Sequence, residues 1–371
     1  MKILCMNYEY PPIGGGGATV AQSLAEAMVH NGHEVDVVTS GMKDLSDHEI
    51  INGVHIHRVR CIRHKRHYST TPELLTQVIP AYRKALELFE KKKYDINHTH
   101  FIVPSGISSY LLKKKTGLPY IITAHGSDVP GYNPDRFDLA HKLIRPVWQR
   151  LLANCNGVTS PSHFLKGLIQ TNIDIPVDVI PNNYDLSEDT GLERKNRILV
   201  ASRLVERKGV QFLIEALDVL DEDWEVYIAG DGPYLPTLKK LASQINTPIH
   251  FLGFTPREEL QELYYSSKIF VFPSIQENFP MVLLEAMAAG CAIVTTSVEG
   301  NSEVVGDSAI KVEPGNTEQI RNAVKKLTSN PEQIQHYSQL ARDRVKQFST
   351  SRIATMYQAL FDRVIAENNN K

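Results

Sequence analysis

Two glutamates near a predicted helix start could bind a ligand rich in hydroxyl groups. Glu277 follows a predicted apolar strand, and Glu285 lies eight positions further along, on a helix that Gly290 ends. A carboxylate accepts hydrogen bonds from adjacent hydroxyls, while the free N–H groups and positive dipole at a helix start suit a phosphate. Phosphate and sugar hydroxyls together indicate a sugar nucleotide.

Taken alone, this segment also fits a surface loop with two solvated glutamates before a core helix. Other features of the same half of the chain favour a binding site. Arg203 and Lys208 follow one predicted strand directly, and a turn containing Gly230 and Gly232 follows the next. Open α/β sheets bind their ligands at the carboxyl ends of strands. We therefore predict that the two cations, the glycine turn and the glutamates converge on one crevice.

Strands and helices are predicted to alternate along the whole chain, as in parallel sheets with helices on both faces. The predicted strands are 2–7, 34–39, 54–60, 94–98, 120–123, 157–160, 177–180, 198–201, 225–229, 250–252, 269–273, 292–295 and 309–312. The predicted helices include 18–31, 72–92, 105–115, 136–153 and three in the tail after residue 316. Because 371 residues exceed one comfortable core, we assign Rossmann-like domains to residues 1–185 and 197–350.

The chain resembles the family 4 retaining glycosyltransferases of the GT-B architecture. The motifs that carry the resemblance are, in chain order, YEYPPIGGGG, TAHGSD, SRLVERKG, GDGP and ENFPMVLLEAMAAG. They cover nearly the whole length, and the last is the most specific. The resemblance implies an α/β fold of two Rossmann-like, doubly wound parallel-sheet domains that face an interdomain cleft. It also implies that a C-terminal helix, residues 351–371, crosses back to the first domain.

The resemblance further implies transfer of a hexosyl group from a nucleoside-diphosphate sugar to a hydroxyl acceptor, with retention at the anomeric carbon. Arg203 and Lys208 would stabilise the leaving diphosphate, Glu277 would bind hydroxyls of the donor sugar, and His125 would touch the transferred sugar. The expected donor-binding residues are Gly15, Gly16, Gly17, Asp128, Gly230, Gly232, Asn278, Phe279, Pro280, Met281 and Glu285, with Pro280 at the first helical position and Glu285 on the ribose.

The glycine run at residues 14–17 follows the first strand, where backbone N–H groups can approach an anion closely. It does not match two known nucleotide motifs. A dinucleotide fingerprint needs glycine where Thr19 stands, and a Walker A loop needs a lysine that this loop lacks. A flexible turn is the alternative to a site here. For His125, the alternative is a buried histidine with satisfied hydrogen bonds.

We expect no cofactor and no required metal. The residues that could suggest a metal site are His55, His57, His98, His100, Asp221 and Asp223. The histidines form two alternating pairs with no third ligand to unite them, and the D-x-D pair precedes a predicted strand instead of following one. Arg203 and Lys208 would neutralise the diphosphate instead.

Composition and charge narrow the remaining functions. A net charge of −2 argues against nucleic-acid binding. Four scattered cysteines suggest reduced thiols, and no signal peptide or membrane span is predicted, so we expect a cytoplasmic protein. The basic stretch from Arg58 to His67 is either a solvated loop rim or a surface for anionic lipid head groups or a phosphate-bearing acceptor. The basic stretch makes peripheral membrane contact an expectation, and the resemblance implies a glycan or lipid-linked acceptor, in cell-surface polysaccharide or glycolipid synthesis.

Three other functions compete with glycosyl transfer. A sugar-nucleotide 2-epimerase of the same fold would use similar phosphate contacts, with acid and base groups aimed at C2. An inactive GT-B scaffold subunit would be expected to have lost its charged site residues, which this chain keeps. An NAD-dependent dehydrogenase would fit the parallel sheets, but the interrupted glycine fingerprint opposes it.

Overall fold

The fold was analysed in a computed structural model, which describes residues 1–66, 68–132, 134–186, 191–217, 220 and 223–370. The chain divides into two compact units. Unit 1 comprises Met1–Asn183 and Thr350–Lys371, and unit 2 comprises Tyr184–Ser349. Both units are Rossmann-like, with parallel sheets and helices on both faces, as the alternating pattern predicts.

Unit 1 contains an eight-stranded sheet. Its strands are β1 (Lys2–Met6), β2 (Glu34–Ser40), β3 (His48–Ile51), β4 (Val54–Val59), β5 (Ile96–His100), β6 (Tyr120–Thr123), β7 (Gly157–Ser160) and β8 (Asp178–Val179). They lie in the order β3-β4-β2-β1-β5-β6-β7-β8, and among these described strands only β3 is antiparallel to its neighbour. The helices between them are α1 (Gly16–His30), α2 (Thr71–Thr76), α3 (Val78–Lys91), α4 (Ser105–Thr116), α5 (Pro134–Asn154) and α6 (His163–Asn172).

Unit 2 contains a six-stranded, wholly parallel sheet in the order β11-β10-β9-β12-β13-β14. The strands are β9 (Lys195–Ala201), β10 (Glu225–Ala229), β11 (Ile249–Gly253), β12 (Ser267–Phe272), β13 (Ala292–Thr296) and β14 (Ile310–Val312). The helices are α7 (Val210–Ala216), α8 (Leu235–Ala242), α9 (Arg257–Ser266), α10 (Met281–Ala289), α11 (Glu299–Val305), α12 (Thr317–Thr328) and α13 (Pro331–Val345), with short 3₁₀ turns at Glu206–Lys208 and Lys346–Phe348.

The last helix, α14 (Thr350–Asn369), is part of unit 1. Its buried residues Ile353, Tyr357 and Phe361 pack in the same cluster as Ile3 of β1 and Ile121 of β6. This explains why unit 1 is assembled from two separate stretches of chain, because the helix covers one face of the first sheet.

Alternate residues of the strands pack into two cores on opposite faces of each sheet, because successive side chains of a strand point to opposite faces. In β12, Phe270 packs into one cluster and Ile269 and Val271 pack into the other. Strands buried on both faces are apolar throughout, and this is why the sequence predicts them well.

Three predictions about elements were inaccurate, and one strand was missed. The strand expected at 94–98 is β5, two residues later. The helix expected at 72–92 is divided into α2 and α3 at Gln77. Pro280, expected at the first helical position, is the N-cap of α10, which begins one residue later. Strand β3 was not predicted, because its sequence HEII carries polar residues and lies at the edge of the sheet.

Among the described parallel strands of each sheet, the strand order reverses direction at one point. In unit 1 it lies between β1 and β5, and in unit 2 between β9 and β12. Loops after these strands border the crevice in which open α/β sheets bind ligands. The loops after β1 and β5 carry the glycine run and Phe101, while those after β9 and β12 carry Lys208 and Glu277.

Candidate active site

Lys208 and Glu277 form an ion pair at the reversal point of unit 2. Their side chains are only 14% and 7% exposed, and Ser274 Oγ donates a 2.6 Å hydrogen bond to the same carboxylate oxygen. Burial lowers the pKa of Lys208, and the Glu277 carboxylate opposes that shift. A largely desolvated ammonium and carboxylate therefore stand side by side, a strong local field for a charged ligand.

Backbone hydrogen bonds join the two loops that carry this pair. Ile275 N donates to Arg207 O over 2.9 Å, and Ser274 Oγ lies 3.2 Å from the same oxygen. The Lys208 ammonium also lies 5.1 Å from the centre of the Phe272 ring. These contacts hold the pair in place.

The predicted glycine turn packs against the loop that carries Arg203. A Cβ at Gly230 would lie 1.8 Å from Ser202 O, and one at Gly232 would lie 2.2 Å from Leu204 O. Leu204 N donates to Asp231 O over 2.9 Å. The contacts of the two glycines seen here are with protein backbone, and donor binding by them stays a prediction. They allow the loops after β9 and β10 to touch.

The segment before α10 combines buried polar and apolar residues. Asn278 and Pro280 are buried, and Phe279 stacks edge-on against Phe348 at 5.5 Å between ring centres. Met281 packs against the same core. The side chain of Phe279 therefore anchors the loop to the core of unit 2. Donor binding by the N–H groups at the start of α10 stays a prediction.

Glu285 lies in a separate small pocket of unit 2, lined by residues that include Tyr184, Arg257 and Tyr264. Burial raises the pKa of Glu285, and the Tyr264 hydroxyl and Arg257 guanidinium oppose the shift. The Glu285 carboxylate therefore lies in a polar, partly enclosed pocket and does not share the contacts of Glu277.

In unit 1 the glycine run lies beside a carboxyl group that sequence reasoning missed. Gly15 is the N-cap of α1, so Gly16 and Gly17 form its first turn. A Cβ at Gly17 would lie 3.3 Å from Glu9 Oε1 and 2.8 Å from Phe101 Cζ. Burial raises the pKa of Glu9 to about 7, opposed by the Arg63 charge and the Gly15 N–H. This carboxyl group can thus gain or lose a proton near neutral pH.

The raised pKa of Glu9 predicts a pH dependence of stability. The pKa of Glu9 is about 7 in the folded chain and 4.5 as its ordinary value. The protonated carboxyl group therefore favours the folded state, fully below pH 4.5, and this contribution to the free energy of unfolding is lost as the pH rises through 7. Glu9→Gln should therefore become more stable than the wild type by up to about 3 kcal/mol between pH 4.5 and pH 8. Urea unfolding across this range measures the difference, with the exposed Glu90→Gln as control. A difference that does not grow with pH would contradict the assignment.

His125 belongs to a row of three histidines at the carboxyl ends of β5 and β6. Its Nε2 lies 3.0 Å from His100 Nδ1, and the His100 ring lies 4.2 Å from that of His98. His98 Nε2 in turn lies 2.8 Å from Thr123 Oγ1. Burial lowers the pKa of His125 to about 4 and that of His98 to about 3. The imidazoles are therefore neutral at pH 7, and His125 can orient a hydroxyl without carrying charge.

Asp128 fixes the backbone around His125. Its Oδ1 accepts hydrogen bonds from His125 N and Gly126 N at 3.0 and 2.9 Å, and its Oδ2 accepts one from Ile102 N at 2.8 Å. The sequence suggests a donor-binding residue, whereas both oxygens are engaged by the protein backbone. Asp128 thus ties the loop after β5 to the loop after β6.

Phe101 has a backbone conformation that marks this loop as strained. Its φ of 68° lies in the left-handed region, which is costly for a bulky residue. Its ring contacts Tyr8 and His125, with centres 4.7 and 4.4 Å apart. The strained residue therefore forms an aromatic wall between the glycine loop and His125.

Comparison with known proteins decides the family. The model for glycosyl transferases group 1 matches residues 185–344, and the model for Glycosyltransferase Family 4 matches residues 14–188. The chain is 32% identical over 356 residues to the uncharacterized glycosyltransferase MJ1607 of Methanocaldococcus jannaschii, covering 89% of this chain and 90% of that protein. The chain belongs to glycosyltransferase family 4.

Solved structures agree with the fold of this glycosyltransferase. Sucrose-phosphate synthase from Thermosynechococcus elongatus superposes with a TM-score of 0.83 at 19% identity, covering 99% of this chain and all of that one. Anabaena Alr3699/HepE, solved in complex with UDP-glucose, superposes with a TM-score of 0.75 at 18% identity over 100% and 99% of the two chains. The GT-B fold is confirmed, the protein is a transferase enzyme, and the dehydrogenase alternative is wrong.

The basic stretch of the glycosyltransferase is partly neutralised within unit 1. Arg58 is buried and pairs with Glu49 at 2.5 Å, Arg66 pairs with Asp44, and His64 pairs with Glu73. Arg66 O also accepts a 2.9 Å hydrogen bond from Gly14 N. The stretch therefore borders the glycine loop, and Arg58 is a structural cation. His67 lies outside the described residues.

The other polar candidates have structural explanations. His57 Nε2 lies 2.9 Å from Asp36 Oδ1, and its ring stacks on His48 at 4.7 Å. Within the described residues, no three His, Cys, Asp or Glu side chains are grouped so as to hold a metal ion. Asp221 of the D-x-D pair lies outside those residues. All four cysteines are free, and no described helix is long and apolar enough to cross a membrane.

Proposed function

We propose that this glycosyltransferase moves a hexosyl group from a nucleoside-diphosphate sugar to a hydroxyl acceptor, with retention at the anomeric carbon and without a metal ion. The observation that carries the proposal is the desolvated Lys208–Glu277 pair at the reversal point of the second sheet. A cation there can meet the diphosphate, and a carboxylate held beside it can accept hydrogen bonds from sugar hydroxyls.

The leaving group is the part of the reaction that most needs the protein. As the bond from the anomeric carbon to the donor phosphate breaks, negative charge builds on the diphosphate. Lys208 and Arg203 stabilise that charge. Lys208 is largely buried, and a preorganised cation in such a position often makes the largest catalytic contribution. The N–H groups at the start of α10 add a positive dipole end. These groups do the work that a metal ion does in other glycosyltransferases.

Two features support a nucleotide sugar as donor. Alr3699/HepE, which shares the fold, was solved with UDP-glucose. The pocket around Glu285 places a carboxylate among polar side chains, which suits the two hydroxyls of a ribose. Glu277 and Glu285 thus bind different parts of one donor, the sugar and the nucleoside.

The acceptor side of the proposal concerns unit 1. Glu9, His125 and the N–H groups of Gly15 and Gly16 border one loop system, with Arg63 close enough to influence the Glu9 pKa. A neutral imidazole and a carboxyl group that titrates near neutrality suit an acceptor hydroxyl. The neighbouring cations suit an acceptor that carries phosphate, such as a lipid-linked glycan in cell-surface polysaccharide or glycolipid synthesis.

A thermal-shift panel without metal, in the presence of EDTA, tests the donor site. The ligands are UDP, GDP, ADP and their glucose, mannose and N-acetylglucosamine derivatives, and the proteins are wild type, Arg203→Ala and the exposed control Arg352→Ala. A ligand at a hundred times its Kd stabilises the fold by about 2.7 kcal/mol. We expect one nucleotide class to raise the Tm of wild type and of Arg352→Ala, with the shift largely lost in Arg203→Ala.

The other outcomes separate the alternatives. No shift with any nucleotide, or equal shifts in all three proteins, would remove the support for the phosphate site and favour an inactive scaffold. Conversion of the identified donor to its C2 epimer without acceptor would favour the epimerase. Inversion of the anomeric configuration in the product, read from NMR coupling constants, would contradict retention.

A further inference from the structure

A second cavity of unit 2 lies at the opposite ends of the strands from the Lys208–Glu277 pair. It is open to solvent on one side and has a volume of about 570 Å³. Asn196 and Lys268, near the amino ends of β9 and β12, form part of its wall, and Gly290 at the end of α10 forms another part. The candidate donor site lies at the carboxyl ends of the same strands, so the cavity is a separate place.

Three cations line this cavity, Arg194, Lys268 and Arg342. None of its described lining residues is acidic, and within the described part of the chain no carboxylate pairs with any of the three. Arg194 donates to Gly290 O at 2.5 Å, and Lys268 Nζ donates to Asn196 Oδ1 at 2.6 Å. Three cations without a described carboxylate partner in one concave wall favour an anion.

Arg342 is the cation best placed to meet that anion. It comes from α13 and packs against Gly290, where a Cβ would lie 2.3 Å from Arg342 Nε. No hydrogen bond joins its guanidinium to another described residue, whereas Arg194 and Lys268 each have a protein acceptor. A planar guanidinium with free donors suits bidentate binding of a phosphate.

The rest of the wall suits an organic ligand. Trp224 and Ile334 supply apolar surface, and Gln335 and Gln339 supply amide groups. Ring faces of sugars pack on apolar side chains. Side-chain amides can both donate hydrogen bonds to hydroxyl groups and accept hydrogen bonds from them. The volume is within the usual range for small-molecule sites. An inorganic anion alone would leave most of this surface unused.

We propose that this cavity binds a phosphorylated monosaccharide, with the phosphate on Arg342 and Lys268 and the sugar between Trp224 and the α13 glutamines. The ligand is not the nucleotide donor, and the site does not depend on the function proposed for Lys208 and Glu277.

Isothermal titration calorimetry on the full chain tests the site with glucose 6-phosphate, glucose and inorganic phosphate as probes. The proteins are wild type, Arg342→Gln and the charge-matched control Arg352→Gln, whose residue is exposed in unit 1. We expect one molecule of glucose 6-phosphate per wild-type chain, at least tenfold weaker binding by Arg342→Gln, and unchanged binding by Arg352→Gln. Binding should persist at saturating UDP, because the donor site lies elsewhere.

A second variant covers the case in which Arg342→Gln does not fold. Gln335 is exposed on α13, so Gln335→Glu keeps the fold and adds a negative charge to the rim; it should weaken glucose 6-phosphate binding at least threefold. No wild-type binding at millimolar concentration, displacement by UDP, or equal affinity in all variants would overturn the proposal. Inorganic phosphate binding as tightly as glucose 6-phosphate would overturn its sugar half.

Discussion

Lys208→Met is expected to lower kcat/KM for glycosyl transfer by two to three orders of magnitude. The substitution keeps most of the side-chain volume and removes the cation beside the departing diphosphate. Loss of one such preorganised group raises the barrier by about 3 to 4 kcal/mol. The measurement is release of nucleoside diphosphate from the donor that the thermal-shift panel identifies. Lys325→Met, on an exposed position of α12, is the matched control and should keep wild-type activity.

The same substitution should destabilise unit 2, and this effect can be separated from catalysis. Removing Lys208 leaves the Glu277 carboxylate, 7% exposed, with Ser274 as its remaining partner. An uncompensated buried charge costs about 3 kcal/mol. The double variant Lys208→Met/Glu277→Gln should recover most of the stability in urea unfolding, while activity stays low. If the double variant also recovered activity, Lys208 would be a structural cation and its role on the diphosphate would be wrong.

Most of the architecture was predictable from the sequence because its strands are buried on both faces. Residues such as Phe270 and Val271 face different cores, so each strand is a short apolar run bounded by polar turns. Strand β3 escapes this rule. At the sheet edge it alternates exposed and half-buried residues, and its pairing with β4 depends on contacts that no local pattern contains.

The candidate site was predictable where a motif names the residue and unpredictable where folding determines its surroundings. The sequence places Lys208 and Glu277 at strand ends, and the structure brings them together across 69 positions. Glu9 was missed because its raised pKa depends on burial beneath the glycine loop. Phe101 was harder to predict than Glu9, because no feature of the sequence indicates that a phenylalanine will adopt a left-handed backbone conformation.

The glycine turn follows β10, as the sequence predicts, and close packing of two loops explains why its residues are glycines. The sequence predicts that Gly230 and Gly232 belong to the donor-binding residues. In the structure the atoms nearest to a Cβ at either position are backbone atoms of Ser202 and Leu204, on both sides of Arg203. The glycines therefore act on the site by letting the Arg203 loop lie against the next strand end.

Gly230→Ala is accordingly expected to destabilise unit 2 by roughly 4 kcal/mol, combining strain and overpacking. Its φ is +137°, which an alanine rarely adopts, and the new methyl carbon would lie 1.8 Å from Ser202 O. Urea unfolding of the full chain measures the loss. Gly253→Ala is the matched control, because Gly253 also has positive φ, at +69°, but has no atom within 4 Å of its Cβ position. It should cost only about 1 kcal/mol.

The difference in stability between these two variants separates the effect of the contact with Ser202 O from that of the positive φ, which both glycines share. Gly230 N donates to Gly253 O over 2.7 Å, so the two glycines lie at the adjacent ends of β10 and β11, and only Gly230 has Ser202 backbone atoms within 4 Å of its Cβ position. If the methyl group displaces the Ser202 backbone, Gly230→Ala should also lose the nucleotide-induced Tm shift at temperatures where it is folded, because Arg203 moves with that backbone. Equal destabilisation by the two variants, with nucleotide binding intact in both, would show that only φ matters at Gly230. The glycine would then contribute nothing to the placement of Arg203.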